Sequence, residues 1–294
     1  TQINGGAAHK IEATIVSRDE PAMVSLSVFS GFRPKIYTMK KIGGYKYQAL
    51  VPGEDVKEGF LSYFISVEDH NKSYTYPGGI EGDPSDWNFD TRHAYEVSVV
   101  PASSPIFIFN AATDNNELSR QWNRNSSFVP TGEPGKAEVR VDVEKLFSID
   151  PENPNSELVN DYSMRYYFGK KIMGRTIDIP GKRTIIFRGR SLTNKPSWIQ
   201  LALITKDGVA YGGVVKIDSE TKDYDLALSD LKQVKLVTLP RPYPTFLPYY
   251  FESGPTQKFD IRNIEALQIS IGPGIPESDI QNSHAVAIES VRLE

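Results

Sequence analysis

Cysteine is absent from the 294 residues, which excludes disulfides, thiolate metal sites and a cysteine nucleophile together. Histidine is scarce. The four copies, His9, His70, His93 and His284, fall in no HExxH or His-x-His spacing. A Gly-x-Ser-x-Gly elbow and a glycine-rich phosphate loop are also missing. No apolar run approaches the ~20 residues that a bilayer span needs, so no membrane insertion is expected. The 33 basic and 37 acidic residues leave a net charge of -4, and no basic run stands out. Without a positive face, phosphate neutralisation cannot drive association, and nucleic acid is a poor partner. The chain opens Thr1-Gln2-Ile3 without a methionine and reads as a mature or excised piece, so the lack of a leader carries little information.

What is abundant is tyrosine and phenylalanine, with 15 and 14 copies against 4 methionines, a composition that favours strands. Hydrophobic and charged contents of 39% and 24% are ordinary for a globular chain. The length predicts two domains at roughly 100–200 residues each. In the first hundred residues, Ile11–Val16, Val24–Phe29, Tyr45–Val51 and Gly59–Val67 alternate with period two between turn signals, and no helical period persists for three turns. Residues 77–92 break the alternation and read as a structured loop, with Trp87 expected to pin it against the sheets. Pro101 and Pro105 interrupt strand pairing, which places the boundary after residue 102.

The second part has strands at Ile106–Asn110, Glu138–Val143, Thr184–Arg190, Trp198–Ile204, Val209–Val215, Val234–Leu239, Ala266–Ile271 and Ala285–Leu293. Lys206-Asp207-Gly208 marks a hairpin, and short helical turns are expected near 143–147 and 226–231. The fold class is therefore all-β, with a small sandwich over 1–102 followed by a larger β-jelly-roll sandwich over 103–294.

The stretch Phe60–Asp69, with Tyr45–Val51 and Tyr74-Thr75-Tyr76-Pro77, resembles immunoglobulin/fibronectin type III-like modules, which implies a spacer in a secreted bacterial enzyme. The opening strand, the hairpin and the closing Val286-Ala287-Ile288-Glu289-Ser290-Val291-Arg292-Leu293 resemble the galactose-binding-like jelly-rolls that include many carbohydrate-binding modules. The Leu239–Tyr250 insert is similar to a loop in C-terminal regions of bacterial glycoside hydrolases. These likenesses imply an accessory region that binds poly- or oligosaccharide, secreted, periplasmic or at the cell surface, joined to a catalytic domain of the same parent chain. They also imply a structural Ca2+ at Glu289, with further oxygens from Asn110 and Asp114. The family more often has Asp where Glu289 stands.

A sugar site pairs an aromatic platform with planar polar side chains. Trp122, Trp198, Tyr211, Tyr243, Tyr249 and Tyr250 are the candidate platforms, and Arg188, Arg190, Gln200 and Asn194 the candidate hydrogen-bonding groups. Trp198 and Gln200 share one strand face, and Trp198 is either an open platform or core. The run Tyr162–Phe168 suits a sugar, an interface or the packing of an edge strand. No catalytic residue is assigned. Two alternatives stay open: a structural region that docks on a catalytic domain, and a sandwich-fold hydrolase or lyase using two distant carboxylates among the 37 acids.

Overall fold

The computed structural model describes residues 2–29, 33–69, 72–120, 125–144, 146–148, 159–160, 162–239, 250–251 and 258–294. The chain divides into two compact units, Thr1–Ser104 and Pro105–Glu294. Among the described residues no helix is long and apolar enough to cross a membrane.

The first unit holds β1 (Gln2–Asn4), β2 (His9–Thr14), β3 (Met23–Phe29), β4 (Lys35–Thr38), β5 (Lys40–Gly43), β6 (Lys46–Val51), β7 (Gly59–Asp69), β8 (Lys72–Tyr76), β9 (Ile80–Glu81) and β10 (Tyr95–Val100). β2, β6 and β5 make a small sheet, and β1-β10-β7-β3-β4 a larger one, to which β8 and then β9 are added beside the far half of β7. Side chains alternate across a strand, so Val24, Leu26 and Val28 of β3 and Leu61, Ile65 and Val67 of β7 face Ile11, Tyr47, Ala49 and Val51 of the small sheet. Ser25, Ser27, Phe64 and Ser66 take the opposite face, yet they too are buried. The β8–β9 ribbon and the loop after it help to cover them. Ser66 and Thr75 share a 2.8 Å hydrogen bond, and the Thr75 hydroxyl donates to the carbonyl of Gly82 at 2.7 Å. Phe89 packs edge-on against Phe64 with centroids 5.3 Å apart. The loop is thus pinned by Phe89, and the expectation for Trp87 is corrected: its side chain is outside, 96% exposed.

The second unit holds β11 (Ile106–Asn110), one helical turn α1 (Ala111–Asp114), β12 (Ser119–Arg120), β13 (Ser126–Pro130), β14 (Ala137–Val143), β15 (Phe147–Ser148), β16 (Val159–Asn160), β17 (Tyr162–Tyr167), β18 (Thr184–Ser191), β19 (Ser197–Thr205), β20 (Ala210–Ile217), β21 (Lys222–Ala227), β22 (Lys232–Gln233), β23 (Leu236–Val237), β24 (Tyr250–Phe251), β25 (Ile264–Ile271) and β26 (His284–Leu293). One sheet runs β13-β14-β26-β18-β21 with β11 beside the last part of β26, and the other runs β12-β17-β25-β19-β20-β22. Their inner faces meet in one core: Val139 and Val141, Ile185 and Phe187, and Ile288 and Val291 from the first sheet; Met164, Leu201, Val215 and Ile269 from the second. This is a jelly-roll-type sandwich. A 3-10 turn at Leu228–Asp230 falls inside 226–231, whereas Val143 ends a strand rather than opening a helical turn. The expected strand 234–239 is reduced to β23. β17 is not an edge strand: it pairs along its whole length with β25, and with β12 on its other side.

Candidate functional site

The two outer faces of the second unit differ in chemistry. On the β14/β26/β18/β21 sheet the outward residues are charged and matched. Arg188 donates to Glu289 at 2.9 Å and to Asp223 at 3.3 Å. Arg292 donates to Asp223 and to Glu294, each at 2.7 Å. Arg140 and Arg190 both reach Glu138, which is 1% exposed. Every guanidinium in this mosaic already holds a carboxylate, so its charge is matched within the face. Arg188 and Arg190 belong here, on the sheet that does not carry Trp198.

The outer face of the β17/β25/β19/β20 sheet is arranged in four rows, fixed by strand register. In the first, Ala266, Ile204 and Ala210 are covered by Leu236 and Val234, which form a small second core. Removing Leu236 from water stabilises this packing by ~1.5–3 kcal/mol. The second row starts with Arg165, whose guanidinium donates to Gln268 Oε1 at 2.6 Å and to the carbonyl of Val237 at 2.7 Å. This double contact ties β23 down onto the sheet. In the third row Ser163 and Ser270 bond each other at 2.7 Å, followed by half-buried Gln200 and exposed Val214. The fourth row pairs Trp198 with Lys216. Trp198 is half-buried, its inner side packed on the main core. Lys216 is exposed, and its ammonium lies 5.3 Å from the Trp198 ring centre. Burial therefore decreases across the face until an indole, an amide and an ammonium lie together at its open end. That set offers an aromatic surface next to one acceptor and several donors.

Tyr211 is not part of this face. It pairs with Leu203 and points inward, is 5% exposed and stacks on Phe259 at 5.2 Å. Burial pushes its phenol above the usual value, with the Asp207 charge adding to the effect. Asn194 is exposed in the turn before β19. Trp122, Tyr243 and Tyr249 lie outside the described residues, and Tyr250 is placed only by its backbone in β24.

The residues assigned to calcium do not fit that ion. Asn110 caps α1, its side-chain oxygen accepting the N–H of Ala112 at 2.9 Å. Asp114 accepts the backbone N–H of Asn110 at 2.7 Å, and also the ammonium of Lys171. A cation of the protein itself already occupies the place beside this buried carboxylate. Glu289 is the extra residue of a bulge in β26 opposite Arg188 and Gly189, and its carboxylate is bound to Arg188. Calcium requires six to eight oxygen ligands, and no group of three or more Asp, Glu or His placed for a metal occurs among the described residues.

A feature that sequence reasoning missed is a cleft of about 710 Å³ at one end of the same unit. Its lining includes Tyr167, the carboxylates of Glu117 and Glu265, and the cations Lys170, Lys206 and Arg262. These come from four separate segments, and the sequence marks only Tyr167, in an aromatic run, and Lys206, in a hairpin turn.

No protein-family model matches the chain, and no curated protein matches it. Solved structures do. A crystal structure of an agarase, AgWH50C, matches at 13% identity and TM-score 0.37, covering 65% of this chain and 24% of the agarase. A family 11 carbohydrate-binding module from Clostridium thermocellum, solved with a beta-1,3-1,4-mixed-linked tetrasaccharide, matches at 13% identity and TM-score 0.35, covering 57% of this chain and 80% of the module. An exo-beta-agarase matches at 10% identity and TM-score 0.38, covering 64% and 24% of the two chains. The chain thus spans about a quarter of the length of the agarases it is similar to.

Proposed function

We propose that the chain is a non-catalytic carbohydrate-binding region of a secreted polysaccharide-degrading protein, with its sugar site at the open end of the β19/β20 face. One observation carries this reading: Trp198 stands outward, half-buried, beside Gln200 and Lys216 on a rigid sheet. The indole provides a surface for the C–H face of a pyranose, while the amide and ammonium bond its hydroxyls. Both neighbours sit on strands, so no backbone ordering opposes binding. Tethered to a catalytic domain, such a face would raise the local concentration of substrate. In this reading the first unit is a fibronectin type III-like spacer.

The test is affinity electrophoresis and calorimetry of the full chain on neutral polysaccharides. Retention by wild type that is weakened in Trp198→Ala and Gln200→Ala is the expected pattern. Equal mobility of wild type and both variants on every polysaccharide would remove the reading.

A hydrolase reading has one observation on its side, the presence of Glu117 and Glu265 in one cleft, since glycoside hydrolysis needs two carboxylates. Incubating the chain with polysaccharide and measuring reducing ends decides between the two. The accessory reading expects none to form. Release that stops in Glu117→Gln and Glu265→Gln would establish the hydrolase.

A further inference from the structure

We propose that the first unit is more than a spacer and carries a cleft of its own for a short neutral saccharide. The proposal goes beyond the β19/β20 face and does not depend on it. It begins with a mismatch between the two sheets of this unit. The small sheet has three strands and ends at β2, while the larger sheet continues past that edge through β7 to β8. The inner side of β7 and β8 therefore overhangs. Register fixes what it shows: Ile65 lies opposite Tyr76, and Val67 opposite Tyr74. Tyr95 reaches the same space from β10, where it pairs with Tyr63.

The overhang and the chain leaving β2 enclose a cleft of about 410 Å³, within the ~300–1,000 Å³ usual for small-molecule sites. The floor is aliphatic, from Ile65 and Val67, and three tyrosines form walls. Tyr76 and Tyr95 remain 44% and 39% exposed, so their rings are available. Thr14, Ser17 and Asp69 add hydroxyls and a carboxylate, and no lysine or arginine lines the cleft among the described residues.

This chemistry selects the ligand. A phosphate, sulfate or uronate would meet the like charge of the Asp69 carboxylate. A purely aliphatic ligand would leave the phenol and hydroxyl groups without partners. A neutral saccharide has an apolar C–H face for the tyrosine rings and hydroxyls that both donate and accept, which suits Asp69, Thr14 and Ser17. An extended peptide laid along the open edge of β2 would use backbone hydrogen bonds instead, and the test separates it.

The full chain is titrated calorimetrically with a neutral mixed-linkage β-glucan tetraose and an agarose-derived tetraose, and separately with an unstructured polar peptide. Three backgrounds are compared: wild type, Trp198→Ala, and Val16→Arg. Val16 is 77% exposed on the cleft rim, so the arginine obstructs the entrance without disturbing the core. Tyr76→Ala is a second cleft variant. A binding event that persists in Trp198→Ala, and weakens at least tenfold in Val16→Arg and Tyr76→Ala, is the expected result. Absence of neutral-saccharide binding in Trp198→Ala overturns the proposal. So does binding that Val16→Arg and Tyr76→Ala leave unchanged, or a peptide that binds in a Val16-dependent way where the sugars do not. Binding abolished by Val16→Arg but untouched by Trp198→Ala would instead retain this cleft and remove the β19/β20 face.

Discussion

The Lys171 ammonium donates to the Asp114 carboxylate and lies 5.9 Å from the centre of the Tyr166 ring. Burial, reinforced by the charge of Asp114, pushes the Tyr166 phenol above its ordinary value. The cluster closes the start of the jelly-roll with a side-chain cation where the family resemblance implied an inorganic one.

Metal independence follows from this pair. Melting curves recorded in chelator and in millimolar calcium should superimpose, because among the described residues no group of three or more Asp, Glu or His is placed to favour the folded state by mass action. Lys171→Met should lower stability by about 2 kcal/mol in a denaturant titration. Removing one partner of a buried pair costs ~3–5 kcal/mol, and the estimate is reduced because the lysine side chain is 28% exposed.

The two faces of β20 give a second expectation. Tyr211→Phe should leave saccharide affinity unchanged, since that ring faces the core. Lys216→Ala should weaken binding less than Trp198→Ala, for which a loss of about tenfold or more is expected, equivalent to ~1.4 kcal/mol. Calorimetry of the three variants measures the order directly. Equal losses in Tyr211→Phe and Trp198→Ala would mean that the platform is misassigned.

Gly189 has no room for a side chain. A Cβ there would lie 2.3 Å from the Ala287 carbonyl oxygen and 2.7 Å from the Phe187 ring. Gly189→Ala should destabilise the second unit by about 3 kcal/mol through overpacking, seen as a lower denaturation midpoint at unchanged slope.

Acid should weaken the β20–β21 turn. Asp218 accepts from Lys222 and Tyr224, and from the backbone of Glu220, and these bonds hold its pKa down at about 2. Its folded value lies below the unfolded carboxylate range near 3.8, so the contribution is complete above that range and fades as pH falls towards 2. Asp218→Asn should flatten the pH dependence of stability over that window and lower stability by a constant amount between pH 5 and 7.

Much of the sandwich could be read from strand parity. Ile199, Leu201 and Leu203 occupy one side of β19, and Trp198 and Gln200 the other. Parity also places Tyr211 with Val215 and Ile217, on the inner side. Parity could not tell which side is open, because Ala202 and Ile204 are apolar and lie on the outer side, beneath Leu236. The burial of Arg165 was not legible because its partners, Val237 and Gln268, are 72 and 103 positions away. Trp87 and Phe89 are equally apolar and two residues apart, so pattern alone could not choose the one that turns inward. The cleft beside β8 was invisible for a similar reason: it arises from unequal sheet widths, a property of pairing rather than of composition.

The register that sets Ile106 opposite Leu293 also decides how the second unit responds to being pulled. Both of its ends leave from the same corner of one sheet. Tension applied between them opens β11 from β26 one rung at a time, like a zipper, instead of loading all their hydrogen bonds together in shear. The module is therefore mechanically soft along that axis, and tension on its two ends reaches this seam before the opposite β19/β20 sheet.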